Sequence, residues 1–301
     1  MSDTPTTERS GTTSADERLA ELLARPRYEV LPFGNVEEAV LEHVPPGITL
    51  TVTVSPKKGV EHTLDVAERL AQHGYPVVPH LSARLVRDRA HLAELMARVD
   101  AMGAHDVFVV AGDADEPAGA FEGAAPLLEA IAELGHRFEN VGITGYPESH
   151  PLIPDETTIQ AMFDKARFAT YIVSQICFDP AVTADWVERV WSRGTRLPIY
   201  VGIPGAVPRT KLLRISKVIG LGTSTRFLRR HRGWIAHALR PHGFDPDPLI
   251  AGLAPSLANP ERKIAGFHIF TFNDLADTEA WRQQRLRELA PAAVPAIEKG
   301  R

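Results

Sequence analysis

Val141-Gly142-Ile143-Thr144-Gly145-Tyr146-Pro147-Glu148-Ser149-His150-Pro151 runs from an apolar stretch directly into a cluster of polar groups. Further along, Tyr171-Ile172-Val173-Ser174-Gln175-Ile176-Cys177-Phe178-Asp179 repeats the arrangement, and a helical pattern lies between the two. Polar residues therefore stand at the carboxyl ends of two successive strands, where open α/β sheets and (β/α)8 barrels build their sites.

Working outward, short β-type runs occur at 27–31, 50–54, 76–80, 106–111, 141–145, 171–175, 198–201 and 266–272. Helical patterns at 62–73, 88–102, 124–134, 159–169, 182–192 and 211–219 separate most of them. Each helix carries apolar residues three and four apart, as in Leu92, Leu95, Met96 and Val99. Strands alternating with helices imply a parallel sheet. Eight such units in a chain of this size predict a closed (β/α)8 TIM barrel, which typically takes roughly 250 residues. A doubly wound open sheet is the alternative, but no Gly-x-Gly-x-x-Gly follows the first strand. The long interval before the eighth strand holds the basic run Arg226-Phe227-Leu228-Arg229-Arg230-His231-Arg232 and a helical pattern at 234–239. It reads as extra helices over the end of the barrel rather than as a second domain. The expected organisation is a disordered N-terminal tail over 1–17, rich in Ser and Thr, and one catalytic barrel domain over 18–301.

The bulk properties narrow the partners. The chain has 301 residues, 44% of them apolar and 24% charged, enough to build a large core. A net charge of −5 gives no general reason to expect nucleic acid or an anionic membrane as partner. No apolar run approaches the roughly 20 residues of a membrane helix, and the N-terminus lacks the apolar core of an export signal. A soluble, cytoplasmic protein is expected. The single cysteine, Cys177, excludes an intrachain disulfide and sits in an apolar setting that favours a buried structural thiol over a nucleophile.

Polar residues at the strand ends form the candidate site: Glu29, Thr53, Ser55, His80, Asp113, Tyr146, Glu148, His150, Gln175, Asp179, Thr271 and Asn273. Glu29 lies within a strand. Aimed into a barrel mouth, it is either a general acid with a pKa raised by desolvation or half of a core ion pair with Lys165 or Arg84. Asp113 follows Gly112 in a loop whose other acids, Asp115 and Glu116, read as a solvated acidic cluster. His80 and His150 can each be a base, a ligand contact or a structural histidine. The histidines do not fall at zinc-ligand spacings, so no metal is expected. Gly-x-Ser-x-Gly and Walker loops are absent.

Taken in order, these strand ends resemble the 5,10-methylenetetrahydrofolate reductase family. The resemblance runs through Tyr28-Glu29-Val30, Thr51-Val52-Thr53, Val77-Val78-Pro79-His80-Leu81, Gly112-Asp113, the two opening motifs, and Phe267-His268-Ile269-Phe270-Thr271-Phe272-Asn273. It implies a barrel enzyme of one-carbon metabolism that reduces methylenetetrahydrofolate to 5-methyltetrahydrofolate. Glu29 then matches the acid that protonates the departing nitrogen. Asp113 matches a carboxylate that binds the pterin and stabilises positive charge on it. Gln175, with Thr53, falls on the pterin side, where an amide can both donate and accept. His80, Tyr146, His150 and Lys165 match the nicotinamide or flavin region.

The family default is FAD reduced by NAD(P)H, and this chain departs from it. The arginine expected before Gly112-Asp113 is Ala111, and the helix between the opening motifs reads Thr158, Ala161, Asp164 and Lys165 where Asp, Asn, Arg and Lys are expected. Each lost charge-assisted hydrogen bond costs on the order of 1.5–3 kcal/mol. Direct hydride transfer from NAD(P)H without flavin is therefore the expectation. The alternatives are a tetrahydrofolate-dependent methyltransferase or demethylase on the same barrel, and a non-catalytic folate-binding protein. Arg226–Arg232 reads as a solvated helix face in preference to a grip for a folate tail or a nucleotide phosphate.

Overall fold

The computed structural model describes residues 14–148, 155–208, 211, 244–257, 259 and 264–290. Eight strands form a closed, wholly parallel barrel in chain order. They are β1 (Arg27–Val30), β2 (Thr49–Val52), β3 (Val77–Ser82), β4 (Asp106–Val110), β5 (Asn140–Gly145), β6 (Tyr171–Ser174), β7 (Ile199–Pro204) and β8 (Ile264–Phe270). The ring closes where Glu29 of β1 faces Phe270 of β8. All eight strands expected from the sequence are present, and the (β/α)8 barrel stands.

The helices are α1 (Ala15–Ala24), α2 (Val36–His43), α3 (Gly59–Gln72), α4 (Arg89–Ala101), α5 (Ala124–Leu134), α6 (Asp155–Ala166), α7 (Pro180–Ser192), α8 (Asp247–Leu257) and α9 (Leu275–Leu289). Helix α1 reaches back into the stretch expected to be an unstructured tail. Ser14 accepts from the Glu17 amide and the Glu17 carboxylate from the Ser14 amide, a reciprocal capping box. Helix α8 falls in the long interval before β8, as expected of an added helix. Arg226–Arg232, 234–239 and the expected helix beyond Lys211 lie outside the described residues. Among the described residues no helix is long and apolar enough to cross a membrane.

Side chains alternate across the barrel wall. In β1, Tyr28 and Val30 are fully buried against the helices, and the Tyr28 hydroxyl donates to Glu279 of α9 at 2.6 Å. Arg27 and Glu29 face inward. The main apolar core therefore lies between strands and helices, with Leu50, Leu64, Leu92, Leu127, Trp186 and Phe267 in it. Inside the barrel the apolar cluster is small, made of Val78, Phe108, Tyr171 and Val173 with Val110 and Tyr200 against it. The rest of the interior is polar, an arrangement that a closed barrel tolerates only if those groups are paired or used.

Candidate active site

The interior holds two polar layers. At the amino ends of the strands, Arg27 pairs with Asp106 at 3.0 Å. Its guanidinium lies 4.3 Å from the Tyr171 ring centroid and 4.1 Å from that of Tyr200. The Tyr171 hydroxyl donates to Asp106 at 2.8 Å. The sequence reading did not find this floor, because its four members come from four different strands.

Two residues further along β1, Glu29 begins the layer at the mouth. Its Oε2 lies 3.1 Å from His268 Nε2 and 3.9 Å from His80 Nε2, the second too long for a hydrogen bond. Both histidines are almost fully buried. His80 packs on Phe108 with centroids 4.8 Å apart, and His268 meets Phe270 edge-on at 4.9 Å. Burial pushes His80 down to about 4, His268 adds to the effect and the Glu29 charge opposes it. His80 is thus a neutral imidazole at neutral pH. The ring nitrogens His80 Nε2 and His268 Nδ1 are buried without a hydrogen-bond partner, so hydrogen-bonding capacity is concentrated beside the carboxylate.

The backbone that carries Glu29 is fixed from β8. Thr271 donates its hydroxyl to the Glu29 carbonyl at 2.6 Å. The Asn273 amide accepts from Leu31 N at 2.8 Å and donates to Leu31 O at 3.0 Å, continuing the sheet with a side chain. Phe272 and Asn273 take φ values of 51 and 60, an unfavourable region for residues other than glycine. The two polar groups read at the end of β8 therefore aim the acid. The ion pairs considered for Glu29 do not form: Lys165 donates to Thr144 at 3.4 Å, and Arg84 donates to backbone carbonyls.

A second group collects over β5. Thr144 Oγ1 accepts from Lys165, and the Thr144 hydroxyl shares a hydrogen bond with that of Tyr146. Burial raises the Tyr146 hydroxyl, the Thr144 bond opposes this, and the nearby Asp113 charge raises it further. Burial pulls Lys165 down to about 8. The structure thus brings Tyr146, Lys165 and Asp113 to one side of the mouth and places His80 with the acid. Asp113 is exposed on the loop after β4, where Gly112 takes φ +93 and a Cβ would come within 1.9 Å of Ser82 Oγ. Only glycine makes that turn.

The second opening motif divides by role. Gln175 is exposed at the mouth, and its Oε1 accepts from Ile176 N at 2.8 Å. Asp179 caps α7 by accepting from Ala181 N and Val182 N. Cys177 is buried and its thiol is pushed up to about 12 by that burial, as befits a structural thiol. Thr53 stands past the end of β2, where its carbonyl accepts from Thr63 at 3.1 Å. His150 and the Thr158 side chain lie outside the described residues. Of the groups around Glu29, the sequence reading missed His268. It stood in a quoted motif two residues before Phe270, and the two-residue period of a strand facing inward was the available signal.

Two solved structures are among those this chain is similar to. A phosphonopyruvate hydrolase is 12% identical over 91% of this chain and 87% of that one, with a TM-score of 0.50. A dihydropteroate synthase from Thermus thermophilus is 16% identical over 89% of this chain and 96% of the other, with a TM-score of 0.42. The family model described as methylenetetrahydrofolate reductase matches residues 37–231, well over half of the sequence, from α2 through β7. With the barrel and this match together, the chain belongs to the methylenetetrahydrofolate reductase family.

Proposed function

We propose that this protein reduces 5,10-methylenetetrahydrofolate to 5-methyltetrahydrofolate by direct hydride transfer from NAD(P)H, without flavin. The observation that carries the reading is Glu29, held inside the barrel mouth between His268 and the neutral His80. The methyl group of the product stays on N5, so N10 is the nitrogen that departs. Glu29 delivers a proton to N10 as the C–N10 bond breaks, and the methylene becomes an N5 iminium. A hydride from the dihydronicotinamide then adds to that carbon. One NAD(P)H and one proton are consumed, and NAD(P)+ leaves. Asp113 and Gln175, with Thr53, bind the pterin. A carboxylate near the ring stabilises positive charge as it develops.

The family commonly uses FAD, and the described residues fit its pyrophosphate poorly. Ala111 has no side-chain donor, and Ala161 and Asp164 are exposed on α6. The nearby Arg84 guanidinium is committed to three carbonyl oxygens. Lys165, the remaining anchor, is buried against Thr144. Placing a phosphate beside Asp164 would replace attraction with repulsion. The nicotinamide then takes the side of the mouth that holds Tyr146 and Lys165.

The test is an absorbance spectrum of the purified protein, followed by an NAD(P)H oxidation assay with methylenetetrahydrofolate. Oxidation that requires the folate, from protein without absorbance near 450 nm, is expected. Stoichiometric flavin would sink the direct transfer, and absence of folate-dependent oxidation would sink the reductase reading.

A further inference from the structure

The loop that carries Asp113 joins β4 to α5 without a helix or strand of its own. An irregular segment of that length must find outside partners for its backbone groups. Here one residue supplies most of them. Arg84, in the 3-10 turn Ala83–Leu85 after β3, donates Nε to Ala114 O at 2.7 Å, Nη2 to Asp115 O at 2.6 Å and Nη1 to Glu122 O at 3.2 Å. Its own amide donates to Ala111 O at 3.0 Å, and its carbonyl accepts from Ala118 N at 2.8 Å. Five bonds from one residue thus reach both flanks of Asp113 and the far end of the loop.

Two close approaches show that the loop lies tightly on this turn. Gly112 leaves no room for a Cβ against Ser82, and a Cβ on Gly119 would sit 1.7 Å from the Arg87 carbonyl oxygen. Asp113 itself is exposed and belongs to no helix or strand. We infer that Arg84 is a positioning residue for the folate site: its fork to Ala114, Asp115 and Glu122 holds the loop so that the Asp113 carboxylate stands at the barrel mouth beside Tyr146. The planar fork is what lets one side chain take three separated carbonyls, whereas a lysine ammonium carries its three donors on one nitrogen at the end of a flexible stem. The inference rests on the reading of Asp113 as a pterin-binding group.

A double-mutant cycle tests it, with tetrahydrofolate binding followed by titration and turnover by NAD(P)H oxidation. Asp113→Asn and Arg84→Ala should each weaken tetrahydrofolate binding by roughly 10- to 100-fold. The double variant should be no weaker than Asp113→Asn by more than about twofold, because both changes remove the same contact. Arg84→Lys should recover only a small part of the loss. Amide exchange should quicken over 112–122 in Arg84→Ala while the strands keep their protection. If Arg84→Ala does not fold, Arg84→Gln carries the same cycle. Effects of the two sites that multiply, or wild-type binding in a folded Arg84 variant, would overturn the inference while leaving Asp113 in place. Wild-type binding by Asp113→Asn would instead remove the role of Asp113, and this inference with it.

Discussion

The floor and the mouth of the barrel share strand β1, and they treat charge in opposite ways. At the floor, Arg27 has a carboxylate at 3.0 Å and two tyrosine faces over its guanidinium. Asp106 is met by that cation and by the Tyr171 hydroxyl. Two residues along the same strand, Glu29 has one hydrogen bond to a histidine and a second, neutral histidine just out of reach. His80 Nε2 and His268 Nδ1 remain there without a hydrogen bond; Arg27 Nη1 lacks one at the floor too, but its guanidinium lies over two tyrosine rings. A buried charge whose partners are fixed contributes little net stability but is costly to break. One with spare hydrogen-bonding capacity beside it can exchange a proton. On the proposed reading the carboxyl ends of the strands serve chemistry, and the amino ends hold charges that are costly to separate.

The comparison can be broken at three points, starting with the largest effect. Glu29→Gln keeps the size and the His268 contact but cannot donate an acid proton, so turnover should fall about 10²–10⁴-fold. Folate binding and unfolding midpoint should change little, and a variant with full activity would end the assignment of acid to the mouth. Arg27→Met leaves Asp106 buried without its cation. Denaturant unfolding should show a loss of about 3–5 kcal/mol, with kcat/KM of the folded fraction near wild type. A large loss of kcat/KM in stable protein would mean that the floor takes part in chemistry.

The third point is His80, whose folded value of about 4 lies below the ordinary 6.5. Below pH 6.5 the unfolded chain takes up a proton there that the folded chain refuses. Its stability is therefore complete above pH 6.5 and lost as pH falls toward 4, by up to about 3 kcal/mol. His80→Gln should flatten that part of the pH–stability curve. Unfolding curves at pH 7 and pH 4.5 for both proteins check this, and an unchanged slope would show that His80 is not held neutral by its surroundings.

Several elements escaped the sequence for identifiable reasons. Helix α9 carries Glu279 and Arg282 on its buried face, where they pair with each other at 2.7 Å and with Tyr28. A search for apolar spacing passes over a helix whose inner contacts are ionic. Helix α2, Val36–His43, runs about two turns, shorter than the window of roughly 11 residues in which apolar periodicity is read. Helix α1 was legible in principle, since Ser14-x-x-Glu17 is a capping signature that the composition of the tail obscured. In the site, Glu29 and the Gly112-Asp113 turn could be found one strand end at a time. His268 and Arg84 could not be given roles that way, because their partners lie on other strands and loops.

By itself the sequence determined the order of the strands and of the helices between β2 and β7, the closed barrel and the polar residues at the mouth. Those follow from local periodicity and from the ends of apolar runs, which need only neighbouring residues to be read. Only the tertiary structure decided which charges meet. Closure sets β8 beside β1, and His268 reaches Glu29 across 239 positions of sequence. The turn after β3 likewise brings Arg84 under the loop of Asp113. Local pattern fixes which way a side chain points, but the register of distant strands fixes what it finds there.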